Sequence, residues 1–288
     1  MDSRSGLATA IACLALTACA GPQLVRAEGY CAPPSRTVVP IPSEPLRPAA
    51  SGPEQIAALL GVSSALQEHP RTQTGRLLAL ERIELARLAI AATAAELKCE
   101  QERAKQAAEA LSRVKANQAQ ALTIGSIGAA ALTSIASTFL STRNASAEAQ
   151  DSVAIGGGAV TAGLAVASLY AHPTVPFRTS RNLLAPLWTG PELPQLYPAI
   201  VWTYLARPEF SNDHQRSIRE HLVDRWRRET GLDRDAALAR LLFGSGGDYD
   251  VDLLRSRAEL LGEVEAEVQL ESQDLASFAA AMFAEPGG

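Results

Sequence analysis

"GRLLALERIELARLAIAATAAELKCEQERAKQAAEALSRVK", Gly75 to Lys115, has no proline and no glycine after its first residue. Within it an apolar residue returns at every seventh position: Ile83, Ile90, Leu97, Ala104 and Leu111, with Ala94 and Ala108 beside the row. Seven residues make close to two helical turns, so such a row stays on one face of an α-helix. Glu81, Arg82, Glu84, Glu100, Glu102, Arg103, Lys105 and Glu109 fill the other faces, the pattern of a helix that buries one stripe and wets the rest. No proline follows before Thr142, and the only later glycines are Gly125 and Gly128, so the helix is expected to run from Gln73 to about Thr142. Unbroken, it would be roughly 100 Å long at about 1.5 Å per residue. Alanines at 104 and 108 weaken the seam, and packing within the chain is expected over a dedicated coiled-coil dimer.

After Lys115 the charge disappears. "ANQAQALTIGSIGAAALTSIASTFLST" (Ala116 to Thr142) is uncharged, "RNASAEAQD" turns the chain, and a second uncharged run goes from Ser152 past Tyr170. Small residues recur every four positions, at Gly125, Ala129, Thr133, Ser137 and Ser141 in the first arm and at Ala154, Gly158 and Ala162 in the second. Rows of this kind let two helix backbones approach closely. In pattern this resembles the glycine-zipper-like hairpins of some envelope proteins. Ile124, Ile127, Leu132, Ile135 and Phe139 fall off that seam and need lipid or another apolar surface. Both alternatives stay open: uncharged runs of 18 or more residues are membrane candidates, but the many Ser, Thr and Gly make insertion marginal.

The N-terminus says where such a protein resides. From Ser5 to Leu24 there is no charge, and "LATAIACLAL" (Leu7 to Leu16) has the length and character of a signal-peptide apolar core, too short to span a bilayer. It ends in "LTAC", Leu16 to Cys19. These residues resemble the lipobox of bacterial lipoproteins, in which an aliphatic and two small residues precede the cysteine that becomes acylated and then N-terminal. The resemblance implies lipid attachment at Cys19, and several acyl chains anchor stably where one would not. Ala20, in place of Asp, goes with sorting to the outer membrane in the enteric members of the class. Cys13 leaves with the signal, so Cys31 and Cys99 are the two cysteines left to form a disulfide in an oxidising compartment, with free thiols or an intermolecular bridge as the alternatives.

Residues 20–52 are rich in proline and read as an extended tether. A short helix is expected from Pro53 to Pro70. Beyond His172, proline and the aromatics Trp188, Tyr197, Trp202 and Tyr204 suggest either an interfacial belt or a small core of large side chains, with "PQLYPAIVWTYLA" as a short buried helix. Then come a helix capped by Ser211, Asn212 or Asp213 and ending before Gly231, another from Asp233 to Phe243, a flexible "GSGGD", and a last helix from about Asp250 to Phe283. This last helix carries Val251, Leu254, Ala258, Leu261, Val264, Val268, Leu275, Phe278 and Met282 at helical spacing, and is long enough to lie along the charged half of the long helix.

The expected organisation is therefore all-α. It comprises a signal peptide (1–18), a tether (19–52), a long helix leading into a Gly/Ala-rich hairpin (53–171) and a C-terminal helical domain (172–288). A formal charge of −5 gives no footprint for nucleic acid. Asp248, Asp250, Asp252 and Glu259 occupy EF-hand positions one, three, five and twelve, but Leu253 stands where the sharp turn needs glycine. His214 and His221, seven apart on an expected helix face, lack zinc spacing, and "GSGG" is not a nucleophile elbow. No metal or cofactor is implied. The reading that follows is a non-enzymatic, lipid-anchored envelope protein facing the periplasm, acting as an assembly or scaffolding subunit on a protein partner or on its own copies; the alternative is a membrane-inserting, oligomerising hairpin.

Overall fold

The computed structural model describes residues 31, 43–45, 52–68, 73–142, 173–190, 195–232 and 235–284. Among them are eight α-helices and two short strands: α1 (Gly52–Leu59), α2 (Ser63–Glu68), α3 (Gln73–Thr142), β1 (Val175–Arg178), α4 (Leu184–Thr189), α5 (Ala199–Ala206), α6 (Ile218–Thr230), α7 (Ala236–Phe243), β2 (Gly246–Tyr249) and α8 (Val251–Phe283). The fold is all-α in the sense expected, with one long helix and a C-terminal helical region, and the one sheet among the described residues is the pair β1–β2.

The chain divides into two compact units, and α3 contributes to both, its residues through Gln106 to one and those from Ala107 to the other. In the first of these, the seven-residue row of α3 is buried at Ile83, Ile90, Leu97 and Ala104. A second buried row, Ala79, Ala86, Thr93 and Glu100, runs between its members and completes an alternating three-and-four spacing. Ala94, expected at the seam, is only half-buried. Helix α8 has the same spacing, with Leu254, Leu261, Val268 and Leu275 alternating with Arg257, Val264, Glu271 and Phe278, all buried. The two helices lie side by side and antiparallel. Lys98 Nζ stands 3.8 Å from Glu265 Oε2, Gln101 approaches Gly262, and Ile83 to Ala91 line one groove with Ser272 to Ala279. Both stripes thus find their cover within the chain. A side chain at Gly262 would collide with the Gln101 amide, so the helices meet closely there.

Aromatic residues of this unit pack against one another. Trp188 stacks on Phe243 with ring centroids 4.5 Å apart, Trp226 lies 5.8 Å from Phe243, and Tyr197 is 5.9 Å from Trp202. Their polar ends are satisfied: Tyr197 Oη donates to Leu183 O at 2.8 Å and Trp226 Nε1 to Glu263 Oε2 at 2.9 Å. Of the two readings open for the aromatics, the structure has the small core.

Several local expectations are corrected. The helix expected from Pro53 is two helices, because Gly61 takes φ +65° and turns the chain between them. Ser211 to Asp213 do not cap α6. Ser217 does, with a reciprocal capping box to Glu220, and the helix ends at Gly231 in the left-handed conformation as expected. Asp235, not Asp233, caps α7, accepting from Ala237 N and Leu238 N. The "GSGGD" stretch is the start of β2, where Thr179 N donates to Ser245 O and Gly246, at φ +93°, packs so tightly against β1 that a Cβ would meet Phe177 O. Strand β1 went unread because four residues, Pro176 among them, offer almost no period.

Candidate anchoring and interaction sites

Cys19 lies outside the described residues. Cys31 and Cys99 are joined by a disulfide that closes a separation of 68 residues, its Cα atoms 5.6 Å apart. A second attachment follows a short way along the chain. The Glu44 carboxylate accepts from Ser64 N at 3.2 Å and from Ser64 Oγ at 3.0 Å, and Glu44 N donates to Ala58 O at 2.8 Å. An N–H in the first turn of α2 has no partner within its helix, so a carboxylate from outside caps it and meets the positive end of the helix dipole. The expected tether is therefore fastened to the helical body at Cys31 and at Glu44.

Helix α3 presents large apolar side chains to solvent. Leu77, Leu80 and Leu88 are exposed on its N-terminal half, Leu88 to 59 %, and fall on one face together with Ala91. Leu88 and Ala91 also line the groove shared with Ser272, Leu275, Ala276 and Ala279, a concavity of about 640 Å³. On the C-terminal half, Ile124, Ile127 and Ile135 are exposed, Ile127 and Ile135 each to 65 %. A soluble surface rarely spends contiguous large apolar side chains in this way without a partner. Gly125 and Ala129 lie within α3, and Ala154, Gly158 and Ala162 lie outside the described residues. Among the described residues, no helix is long and apolar enough to cross a membrane.

Two polar centres sit inside the helical body. Arg257, fully buried on α8, donates to Leu242 O at 2.7 Å and to Asn182 Oδ1 at 3.1 Å, while Asn182 Nδ2 donates to Leu242 O and Gly244 O. Its guanidinium lies 5.8 Å from the Phe177 ring centre, and Arg103 lies 4.2 Å from the same ring. Arg103 is bonded in turn to Glu100 at 2.8 Å and to Arg178 O. This explains why a carboxylate can occupy the seam at position 100: its charge is paired inside the body. The second centre is acidic. Glu271 is 2 % exposed, and among the described residues neither carboxyl oxygen has a hydrogen-bond partner. Burial, and next the Asp274 carboxylate, push its pKa well above the usual carboxylate range. Burial likewise raises Tyr204, whose hydroxyl donates to Asp274 Oδ2 at 2.7 Å.

A cleft of about 330 Å³ opens between α6 and α8, walled by Tyr204, Phe210, His221, Arg225, Arg228 and Glu267 with the Ser211–Asp213 turn. His221 Nε2 is 2.9 Å from Asp213 Oδ2, and Ser211 Oγ donates to Asp213 Oδ1 at 3.2 Å. The serine thus bonds to the carboxylate and not to the imidazole, which is not the nucleophile–base pairing of a hydrolytic triad. Asp213 has a pKa of about 2, first because Gln215 N and Arg216 N donate to it. His214 was expected on the helix face with His221; it lies in the turn before α6 with φ 52°. Asp248 falls in β2 and Asp252 in the first turn of α8, so the calcium-loop spacing is split between a strand and a helix. No group of His, Cys, Asp and Glu fit to hold a metal occurs among the described residues.

Compared with known proteins, the chain matches no family, no curated protein and no solved structure.

Proposed function

We propose that this chain is a lipid-anchored, non-enzymatic cell-envelope protein that acts as an assembly or scaffolding subunit through helical packing. Acylation at Cys19 holds it to the outer membrane on the periplasmic face. The observation that carries the reading is the Cys31–Cys99 bond, because such bonds persist where an exported lipoprotein resides and not in a reducing cytosol. The solvent-facing leucines of α3 at 77, 80 and 88 supply the surface on which a partner, or another copy, would pack. Metabolic labelling with a palmitate analogue tests the anchoring: label on the wild type that disappears with Cys19→Ala supports it, and label that persists in the variant contradicts it.

A second reading is favoured by one observation, the exposure of Ile124, Ile127 and Ile135 beyond the charged half of α3. In it, residues 121–171 form a close-packed hairpin that inserts and oligomerises to make a pore or bridge membranes. Bulky side chains at the helix crossing would then abolish oligomers without releasing the anchor. Oligomers that persist with Gly125→Leu and Gly158→Leu together rule this reading out.

A further inference from the structure

Helices α6 and α8 run antiparallel along the cleft of about 330 Å³. Arg225 Nη1 lies 3.6 Å from Glu263 Oε2, His221 acts electrostatically on Glu267, and Ile218 and Leu270 both line the cleft, so numbers rise along one wall as they fall along the other. Ile218, His221, Arg225 and Arg228 follow at intervals of three, four and three, which puts them on one face of α6. The cleft is therefore graded along its length. One end is apolar, formed by Ile218, Leu270 and the rings of Tyr204 and Phe210, whose centroids are 5.2 Å apart. Glu267 comes next, and Arg228 stands at the far end. Arg228 is seven residues beyond His221, roughly 10 Å along the helix axis at about 1.5 Å per residue. That is the span of two to three residues of an extended chain, at about 3.3–3.6 Å each.

Most charges of this cleft already have partners. Arg225 is paired with Glu263, and Asp213 accepts from Ser211 Oγ, Gln215 N and Arg216 N and meets His221 Nε2. Two charges are left over, one of each sign. Among the described residues neither Glu267 nor Arg228 makes a hydrogen bond or an ion pair, with each other or with a third group. Glu267 is half-buried, and burial pushes its carboxyl above the usual carboxylate range, so its ionised form gains from an arriving cation. We propose that the α6–α8 cleft binds a free dipeptide or tripeptide whose first residue is apolar. The ligand's ammonium group pairs with Glu267, its first side chain packs against Tyr204, Phe210 and Leu270, and its carboxylate is held by the Arg228 guanidinium, whose fork matches both oxygens. A single amino acid is too short to meet both charges, and the N-terminus of a longer chain leaves Arg228 unmet. The volume of about 330 Å³ is that of a small-ligand pocket. The site uses none of Leu77, Leu80 and Leu88 and does not depend on lipid at Cys19, so it stands apart from anchoring and scaffolding.

Isothermal titration calorimetry on the full chain in detergent tests this, with leucyl-alanine, phenylalanyl-alanine and leucyl-alanyl-alanine as probes at millimolar concentration. The expected result is saturable binding that weakens about tenfold or more when the amino end is acetylated, and likewise when the carboxylate is amidated. Two variants read each charged contact separately. Arg228→Gln should bind a probe and its amide equally while still preferring the free amine to the acetylated form, and Glu267→Gln should show the reverse. A merely structural loss would not exchange these preferences in this way, and Arg228 is exposed, so its replacement leaves the fold intact. Absence of saturable binding of all three probes to wild-type chain that melts cooperatively overturns the proposal. So does wild-type binding that ignores either blocked end, or variants that keep both wild-type preferences.

Discussion

At the residue scale, the buried carboxyl of Glu271 is the position where folding and protonation are most tightly coupled. The Asp274 carboxylate adds to the effect of burial, and the Tyr204 hydroxyl is given to Asp274 and not to Glu271. An acid held protonated in the fold but ionised in the unfolded chain stabilises below its unfolded pKa of about 4.3, and that contribution is lost as pH rises through the raised folded value. Glu271→Leu, which restores an apolar residue to the seam, is expected to stabilise the chain by about 1–3 kcal/mol at neutral pH. Thermal melts at pH 4.5 and pH 8 check this, and the gain should be larger at pH 8; an equal gain at both would mean that the carboxyl is ionised in the fold. This residue also marks where the sequence was illegible. Glu100, Arg257 and Glu271 occupy seam positions that an apolar template passes over, and only their three-dimensional surroundings show that two are paired and that the carboxyl of the third has no hydrogen-bond partner among the described residues.

At the element scale, the α3–α8 pair was the legible part. Large apolar residues every seven positions announced one line of the α3 seam, Ile83 to Leu111, and nearly all of the α8 stripe. The second line of α3 was hidden because Ala79, Ala86 and Thr93 are small or polar, and such residues are as common on exposed helix faces. The two leucine classes of α3 should therefore answer differently. Leu97→Ala empties a fully buried site and should cost about 2–5 kcal/mol, read as a lower midpoint in urea. Leu88→Asp, on the exposed row, should leave the midpoint within about 0.5 kcal/mol while abolishing capture of the partner or of a second copy. Loss of stability in Leu88→Asp would place that leucine in the core. Short elements were the least legible: the β1–β2 pair depends on a contact between residues some seventy apart, which no local pattern encodes.

At the scale of the whole molecule, the account joins an anchor, a tether and a helical body. Motif and composition are the grounds on which an anchor and a tether are proposed, and the Cys31–Cys99 bond and the Glu44 contact fasten that expected tether to the body at two points. Closing a separation of 68 residues restricts the unfolded chain enough to contribute about 4 kcal/mol in the loop-entropy description. Cys31→Ser is thus expected to lower the urea midpoint markedly, while far-ultraviolet circular dichroism stays helical because the α3–α8 seam does not depend on the bond. Helicity lost together with the bond would mean that the staple, and not the seam, organises the body.

The central claim is that lipid at Cys19 is what holds this protein in the envelope, leaving the helices free to act as a scaffold. Membrane partitioning of Cys19→Ala, exported through a non-lipoprotein signal and washed in alkaline carbonate, tests it most directly. The account predicts that this variant is recovered in the soluble fraction while the wild type stays with the membrane. Retention of the variant through the wash would contradict it and would point instead to insertion of residues 121–171.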